Sequence, residues 1–134
     1  MKARDLMIGD WVIVRTLHDS FPHEDIRQIS YGDFEWEDTQ QYPIVEFEPI
    51  PLTPEILNKN GFFDYYINKK LDKSEIYVWH DVYGHEVTVD MKSNNIKVKH
   101  DARILLDLWY TEKVPVHELQ LALKHCGIKK EITL

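Results

Sequence analysis

The chain contains a single cysteine, Cys126, among 134 residues. One thiol cannot form an intramolecular disulfide, and it cannot provide the paired cysteines of a structural zinc site. The sequence also lacks a run of about 20 apolar residues, which a membrane-spanning helix requires. Its N-terminal segment lacks the apolar stretch of a secretory signal. We therefore expect a cytoplasmic protein in a reducing compartment, with no membrane among its partners.

Sequence motifs of catalysis are missing as well. The five glycines form neither a P-loop nor a GxGxxG motif, and no serine lies in a nucleophile elbow. His125 and Cys126 are adjacent, but neighbouring side chains on a helix point about 100° apart, and we expect Cys126 in the core. His117 and Glu118 fall in the first turn of a predicted helix, where Glu118 suits the helix dipole and His117 faces solvent. We therefore assign no catalytic residue.

Basic residues are scarce in the first part of the chain, and the net charge of −7 arises there. Residues 1–50 contain four lysines and arginines against eleven carboxylates, whereas residues 51–134 contain twelve of each. A duplex-binding surface needs clustered Lys and Arg to displace counterions, so we expect no direct nucleic-acid binding. The acidic part favours a basic protein surface or a cation as its partner. The sequence leaves homo-oligomerisation open.

The composition is typical of a globular protein, with 43% hydrophobic and 29% charged residues. A chain of 134 residues is long enough for one core. We therefore predict a single domain, residues 1–134, of α+β class with antiparallel sheets. Its acidic, strand-rich N-terminal part, residues 1–50, is predicted to form an SH3-like half-barrel from β-branched or alternating segments. These segments are residues 11–17, 26–31, 33–37 and 43–48.

The C-terminal part comprises residues 51–134, and a proline-rich connector over residues 49–53 leads into it. Thr53 is a predicted N-cap for a short helix that starts at Pro54 and ends at Asn60 and Gly61. A β-meander follows, with predicted strands at residues 62–69, 75–82, 85–91, 96–100 and 103–109. Residues 128–134 are predicted to form a last strand. Before them, a longer helix is predicted from the helical spacing of an apolar face, formed by Val116, Leu119, Ala122, Leu123 and Cys126.

Three segments together resemble a known group of proteins. They are Lys-Ala-Arg-Asp-Leu and Ile-Gly-Asp at residues 2–10, Pro-Ile-Pro-Leu-Thr-Pro-Glu-Ile-Leu with a following Gly-Phe at residues 49–62, and Val-His-Glu-Leu-Gln at residues 116–120. Their order and spacing are similar to those of small proteins from gut Bacteroidetes and their phages or mobile elements, a family with no assigned activity. Residues 63–110 carry little of the likeness, and Pro115 stands where that family has a tyrosine. The resemblance implies an accessory function rather than core metabolism.

Alternation in residues 33–37 and 43–48 predicts a hairpin with one acidic face. One face would carry apolar side chains, namely Phe34, Trp36, Val45 and Phe47. The opposite face would carry four carboxylates, those of Glu35, Glu37, Glu46 and Glu48. Like charges across a strand pair cost up to about 1 kcal/mol, so such a face favours a basic partner. The alternative is an ordinary solvated sheet face.

Histidines of the meander form a second candidate site. We predict a two-residue turn at Tyr83 and Gly84, because it places Val78 opposite Val89 and keeps apolar side chains on one face. A three-residue loop would place Val78 opposite Thr88. A four-residue second loop would place Val87 opposite His100. The predicted register then brings three histidines to one face near one end of the sheet, namely His80, His85 and His100. They could hold a zinc ion that activates water for hydrolysis. In the alternative interpretation the protein has no cofactor, and the histidines form hydrogen bonds with the backbone or with solvent.

The same register places Tyr77 and Trp79 on the face opposite the apolar side chains. If that face is exposed, the two rings have the composition of an interface anchor. If the sheet is covered on both faces, they belong to the core. The leading hypothesis is a non-enzymatic protein-interaction module that uses the acidic face and these rings. The alternative is a metal-dependent hydrolase that uses the three histidines.

Overall fold

The computed structural model describes residues 6–16, 23–33, 45–64 and 75–134. These residues form an α+β fold with two antiparallel sheets, which confirms the predicted fold class. The chain divides into two compact units. Unit 1 comprises Met1–Ile50 with Pro115–His117, and unit 2 comprises Pro51–Val114 with Glu118–Leu134. The boundary after residue 50 coincides with the change in charge along the sequence. Folding as a single domain stays a prediction.

Unit 1 contains a three-stranded antiparallel sheet in the order β2–β1–β3. Its strands are β1 (Trp11–Thr16), β2 (His23–Gln28) and β3 (Val45–Pro49). β1 consists largely of β-branched and aromatic residues, which favour strands, and it pairs with both neighbours. One face of the sheet contributes to a buried cluster of Leu6, Val12, Val14, Ile29 and Phe47. SH3-like closure of this sheet stays a prediction.

A helical turn at residues 31–33 stands where the sequence predicts the start of a strand. The Asp33 carboxylate accepts hydrogen bonds from the backbone N–H of Ser30 at 2.8 Å and from Nη1 of Arg27 at 2.7 Å. A short acidic side chain satisfied in this way favours a turn over a strand. The predicted strand is therefore wrong at Asp33. Its remaining residues, 34–37, with Glu35 and Glu37, lie outside the described part of the chain.

α1 (Pro54–Lys59) lies where the sequence predicts a helix. The Thr53 hydroxyl accepts a hydrogen bond from the N–H of Ile56 at 3.2 Å, which caps the helix. After the helix, Gly61 has φ +85°, a left-handed conformation that costs glycine little because it has no Cβ. Leu57 is the buried residue of the helix. Local capping signals are therefore sufficient to define this element.

Unit 2 also contains a five-stranded antiparallel meander in sequential order, as predicted. Its strands are β4 (Phe63–Asp64), β5 (Ile76–His80), β6 (His85–Asp90), β7 (Asn95–His100) and β8 (Arg103–Trp109). The middle strands carry the apolar core, because Val87 pairs with Val98, Val89 pairs with Ile96, and all four side chains are fully buried.

The predicted register between β5 and β6 is wrong by one residue, because Trp79 pairs with Val87 and Tyr77 with Val89. A shift of one residue moves every side chain of a strand to the other face. Both aromatic side chains therefore lie on the apolar face of the meander. Val78, on the other face, is also buried at 2% exposure. β5 is thus covered on both faces, and the separation of apolar from polar residues that favoured the predicted register does not hold.

The loop between β5 and β6 explains the register. The Asp81 carboxylate accepts hydrogen bonds from the backbone N–H groups of Tyr83 and His85, each at 2.9 Å. The Asp81 N–H donates to the carbonyl of His85 at 3.2 Å. Gly84 has φ +92° inside this loop. The side chain of Asp81 thereby closes a three-residue loop instead of the predicted two-residue turn.

α2 (Val116–His125) begins immediately after Pro115. Its predicted apolar face is buried at Val116, Leu119, Ala122 and Leu123. His117 and Gln120 are each only 8% exposed, so the helix buries a wider arc than its apolar stripe indicates, and the expectation that His117 faces solvent is wrong. Cys126, expected in the core, is half-buried just past the helix. No helix in the described ranges combines the length and apolar character needed to cross a membrane.

The tail after α2 contains no strand, contrary to the prediction for residues 128–134. Asn60 binds its backbone instead. The side-chain Oδ1 accepts a hydrogen bond from the N–H of Thr133 at 2.8 Å, and Nδ2 donates to the Thr133 carbonyl at 2.7 Å. A side-chain amide has both a donor and an acceptor. The Asn60 side chain therefore takes the place of a neighbouring strand, because it forms hydrogen bonds with both the N–H and the carbonyl of Thr133.

Candidate functional site

The structure brings together two of the three predicted histidines. His85 on β6 pairs with His100 on β7, and their ring centroids lie 4.6 Å apart with the planes tilted by 33°. The sequence predicts Val87 opposite His100, so the actual register differs by two residues. An even shift keeps side chains on the same face. His85 and His100, hereafter the histidine pair, therefore share a face as predicted.

His80 lies on the other face of the meander. It pairs with Glu86, whose Oε2 is 3.9 Å from Nδ1 of His80, and its ring centroid lies 5.6 Å from that of Phe63. The one-residue shift between β5 and β6 separates His80 from the histidine pair. Among the residues that the structure describes, no three His, Cys, Asp or Glu side chains are grouped to hold a metal ion. The three histidines therefore do not meet on one face.

A largely buried carboxylate orients His85. Oδ2 of Asp81 lies 2.7 Å from Nδ1 of His85, and the two side chains are 15% and 17% exposed. Burial raises the pKa of Asp81, but hydrogen bonds from the backbone and ring of His85 and from the backbone of Tyr83 outweigh it and hold the pKa below its usual value. Asp81 is therefore an ionised acceptor. Nδ1 of His85 donates to it, and Nε2 holds the lone pair of the neutral ring.

A backbone carbonyl orients His100. Nε2 of His100 lies 3.0 Å from the carbonyl oxygen of Tyr83, which can only accept, so Nδ1 holds the lone pair of the neutral ring. Asp101 donates its backbone N–H to the carbonyl of Gly84 at 3.1 Å. A Cβ atom on Gly84 would collide with the Asp101 carboxylate. The two loops at this end of the meander are therefore in close contact and fix the surroundings of the histidine pair.

A groove of about 690 Å³ lies between β8 and α2. This volume falls within the roughly 300–1,000 Å³ that is typical of ligand pockets, whereas the cavity beside His85 measures only about 260 Å³. The apolar walls of the groove are Leu105, Leu106, Leu108, Trp109 and Leu121. Its polar lining is Tyr110, Glu118, His125 and Cys126. We refer to it as the β8–α2 groove.

The polar groups of the β8–α2 groove are suited to binding rather than to nucleophilic attack. The Tyr110 hydroxyl donates a hydrogen bond to Oε2 of Glu118 at 3.1 Å. Burial, together with the charge of Glu118, raises the pKa of Tyr110, so the phenol remains a donor. Burial also raises the pKa of the Cys126 thiol. A nucleophilic cysteine requires the opposite shift.

β8 is an exposed edge strand. It pairs with β7 on one side, and no strand in the described ranges pairs with its other side. Three of its large apolar side chains, Ile104, Leu105 and Trp109, are 55%, 45% and 66% exposed. The pairing with β7 shifts register within the strand, between Val98 and Lys99 of β7. An apolar edge of this kind is a template on which another strand can pair.

The described half of the predicted acidic face includes a positively charged side chain, that of Arg15. Glu46 lies directly opposite Arg15 of β1, and Glu48 shares that face. Nη1 of Arg15 lies 2.5 Å from Oε1 of Glu48, and Nε lies 2.6 Å from Oε1 of Glu24 on β2. Arg15 therefore offsets part of the negative charge, and this face is mixed rather than uniformly acidic.

Tyr77 is buried, and Trp79 contacts other residues of unit 2. Tyr77 is 7% exposed and belongs to the core. Trp79 is half-buried, with Nζ of Lys130 at 5.4 Å from its ring centroid and the ring of Phe62 at 6.4 Å. A cation over an indole ring is a stabilising contact. Of the two aromatic residues predicted as an interface anchor, only Trp79 retains appreciable accessible surface.

The predictions from sequence include neither the edge of β8 nor the β8–α2 groove as a site. The signal is present in residues 103–109, Arg-Ile-Leu-Leu-Asp-Leu-Trp, where five of seven residues are apolar without strict alternation. Such a run is typical of a strand that is covered on both faces. The last strand of a meander is an edge strand, so strand order combined with this composition could have indicated an uncovered apolar edge.

Comparison with known proteins gives no relative: no protein-family model, no curated protein and no solved structure matches the chain. Its function is therefore inferred from its own residues.

Proposed function

We propose that the chain is a non-enzymatic protein-interaction module that binds an extended segment of another protein along the outer edge of β8. The observation that supports this most is the exposure of Ile104, Leu105 and Trp109 on that strand. An apolar edge strand that stays uncovered is prone to aggregation. A partner strand would cover these side chains and pair with the backbone of β8.

The β8–α2 groove supplies the side-chain part of this interaction. In strand addition, the backbone hydrogen bonds contribute affinity, and pockets that accept alternate side chains contribute specificity. The groove lies directly beside β8, because Leu105, Leu106 and Leu108 of that strand form part of its wall. Side chains on one face of an added strand would therefore enter it.

The charge of the groove indicates the chemistry of the partner. Among the nine described residues that line it, Glu118 carries the only fixed charge, and its carboxylate also accepts the hydrogen bond of Tyr110. A carboxylate beside apolar walls favours a positively charged hydrogen-bond donor. The exposed indole of Trp109 adds a face for a cation. We therefore propose a partner segment with apolar residues and at least one Lys or Arg, in keeping with the basic partner expected from the net charge of −7.

The acidic face of unit 1 remains a proposed second surface with weaker support. Its glutamates would attract the same basic partner. Arg15, however, pairs with Glu24 and Glu48 there, so a partner would have to displace an existing cation. We therefore place the principal docking surface on β8.

Substitutions on exposed residues test the proposal without disturbing the core. Ile104→Lys and Trp109→Lys each place a charge on the edge of β8. Val82→Lys is the matched control, because Val82 is an apolar residue of unit 2 that is 92% exposed outside the strands. Each protein is immobilised and exposed to an extract of the cells that encode it, and the retained proteins are then purified for calorimetry.

We expect a protein that is retained by the wild type and by Val82→Lys, and that binds at least tenfold more weakly to Ile104→Lys and Trp109→Lys. Equal binding to all four proteins would contradict docking on β8. Sedimentation of the wild type without any partner measures whether the chain forms a dimer with a second copy of itself. A dimer that Ile104→Lys converts to monomers would show that a second copy covers β8, and would overturn the proposal of a different partner protein.

A further inference from the structure

We infer that the histidine pair is a binding site for a divalent transition-metal ion of the zinc, nickel or copper type. The site consists of two imidazoles, one from His85 and one from His100, with water in the remaining coordination positions. It differs from the three-histidine site predicted from sequence, because His80 is on the other face of the sheet. It is independent of the proposed docking on β8.

The hydrogen bonds around the histidine pair are those of metal-ligating imidazoles. A ligating histidine commonly donates its other ring N–H to a carboxylate or to a backbone carbonyl, and this outer contact fixes the tautomer. His85 has the carboxylate of Asp81 at 2.7 Å from Nδ1, and His100 has the carbonyl of Tyr83 at 3.0 Å from Nε2. Both kinds of outer contact are therefore present. The nitrogens left to bind a metal are Nε2 of His85 and Nδ1 of His100.

The two imidazole rings lie side by side, as an ion shared by both would require. Zinc–imidazole bonds are about 2.0–2.1 Å long, so one ion can join nitrogens up to about 4 Å apart. The ring centroids of His85 and His100 are 4.6 Å apart, and the nitrogens lie at the ring perimeters. The planes are tilted by 33°, so the proposed site requires a small reorientation of the two rings that keeps the hydrogen bonds to Asp81 and to the Tyr83 carbonyl.

The electrostatic surroundings favour a cation at this position. Oδ2 of the Asp81 carboxylate lies 2.7 Å from Nδ1 of His85. A ligating imidazole bonded to an ionised carboxylate is a stronger base. Asp101 adds a second carboxylate, with Oδ2 at 3.6 Å from Nε2 of His100. Imidazole nitrogens bind zinc, nickel and copper, whereas magnesium and calcium prefer oxygen ligands.

The experiment is a calorimetric titration of the purified, metal-free protein with Zn²⁺ and Ni²⁺, with Mg²⁺ as the negative control. Two variants remove one ligand nitrogen each and keep a donor for the outer hydrogen bond. They are His85→Asn, whose amide can donate to Asp81, and His100→Gln, whose amide can donate to the Tyr83 carbonyl. His80→Asn is the matched control on the other face of the same hairpin.

We expect one Zn²⁺ or Ni²⁺ per chain, an affinity at least tenfold weaker in His85→Asn and in His100→Gln, and no change in His80→Asn. Asp81→Asn should weaken binding by about 10–100-fold while both ligands remain, as for other outer-shell partners. Chemical shifts of the His85 and His100 rings should move on addition of Zn²⁺ and stay fixed with Mg²⁺. Absence of saturable Zn²⁺ and Ni²⁺ binding, or equal affinity in His85→Asn and the wild type, would overturn the inference.

Discussion

At the residue scale, Asp81 determines more of the structure than any motif recognised in the sequence. One carboxylate oxygen accepts two backbone N–H groups of the loop, and the other contacts the ring of His85. These bonds select the three-residue loop, and the loop in turn sets the faces of β5. A register predicted from the separation of apolar and polar side chains depends only on residues within the strands. It therefore misses Asp81, whose carboxylate binds the backbone of the loop between them.

Replacing Asp81 with Asn should lower the free energy of unfolding by about 1–3 kcal/mol at neutral pH, because a charged acceptor of several hydrogen bonds is lost. The pKa of Asp81 is lower in the folded chain. The carboxylate therefore stabilises the fold fully above its unfolded pKa of about 3.9, and this contribution is lost as the pH falls through the lower folded value.

Urea unfolding of the wild type and Asp81→Asn between pH 3 and pH 8 measures this effect, with Glu112→Gln on the surface as the control. The difference in stability should be constant above about pH 5 and should shrink below about pH 4. A difference that grew as the pH fell would contradict the assigned role of Asp81.

At the element scale, α1 and α2 are predictable from sequence, whereas the pairing of strands is not. Thr53 and Pro54 give α1 its start, and the apolar spacing after Pro115 gives α2 its buried face. These signals are local. The tail after α2 depends instead on Asn60, more than 70 residues earlier, as its hydrogen-bond partner. No local pattern indicates that contact, and the predicted last strand is therefore wrong.

Replacing Leu119 with Asp should unfold the protein or cause it to aggregate, because Leu119 is fully buried and an unpaired buried charge is very costly. The milder Leu119→Ala should cost about 2–5 kcal/mol. Thermal unfolding measures both, with Lys124→Ala on the exposed side of α2 as the control. A soluble Leu119→Asp variant with the melting temperature of the wild type would refute the buried position of Leu119.

Replacing Asn60 with Ala should release the C-terminal tail. Asn60 is 5% exposed and bonds both backbone groups of Thr133, so its loss should cost about 1–3 kcal/mol and should speed amide hydrogen exchange at Thr133. Asn58→Ala, at an exposed position of α1 just before Asn60, is the control. Unchanged exchange at Thr133 in Asn60→Ala would show that other contacts hold the tail.

At the scale of the whole molecule, composition predicts the fold class and the charge boundary but not the candidate sites. The change in net charge after residue 50 coincides with the division into two units. The predicted sites each depend on pairing, which composition does not specify. The register of β5 differs from the predicted one by one residue, which places His80 on the face opposite the histidine pair. Arg15, on the strand beside β3, adds a positive charge to the acidic face. The edge of β8 becomes visible only once strand order is known.

Reversing both Glu46 and Glu48 to Lys distinguishes the two proposed docking surfaces. The variant should fold, with a loss of up to about 1 kcal/mol from like charges beside Arg15. If β8 is the principal surface, partner affinity should fall only through the change in net charge, and the effect should fade at high salt. Loss of binding as complete as in Ile104→Lys, and insensitive to salt, would instead assign docking to the acidic face.

Docking of a strand on β8 is tested most directly by amide hydrogen exchange of the chain with and without its bound partner. An added strand would give the outer backbone N–H groups of β8 new acceptors. We therefore predict that exchange slows across residues 103–109 on binding, while exchange in β1 and β3 is unchanged. Unchanged exchange in β8, with slower exchange in unit 1, would contradict the proposed function.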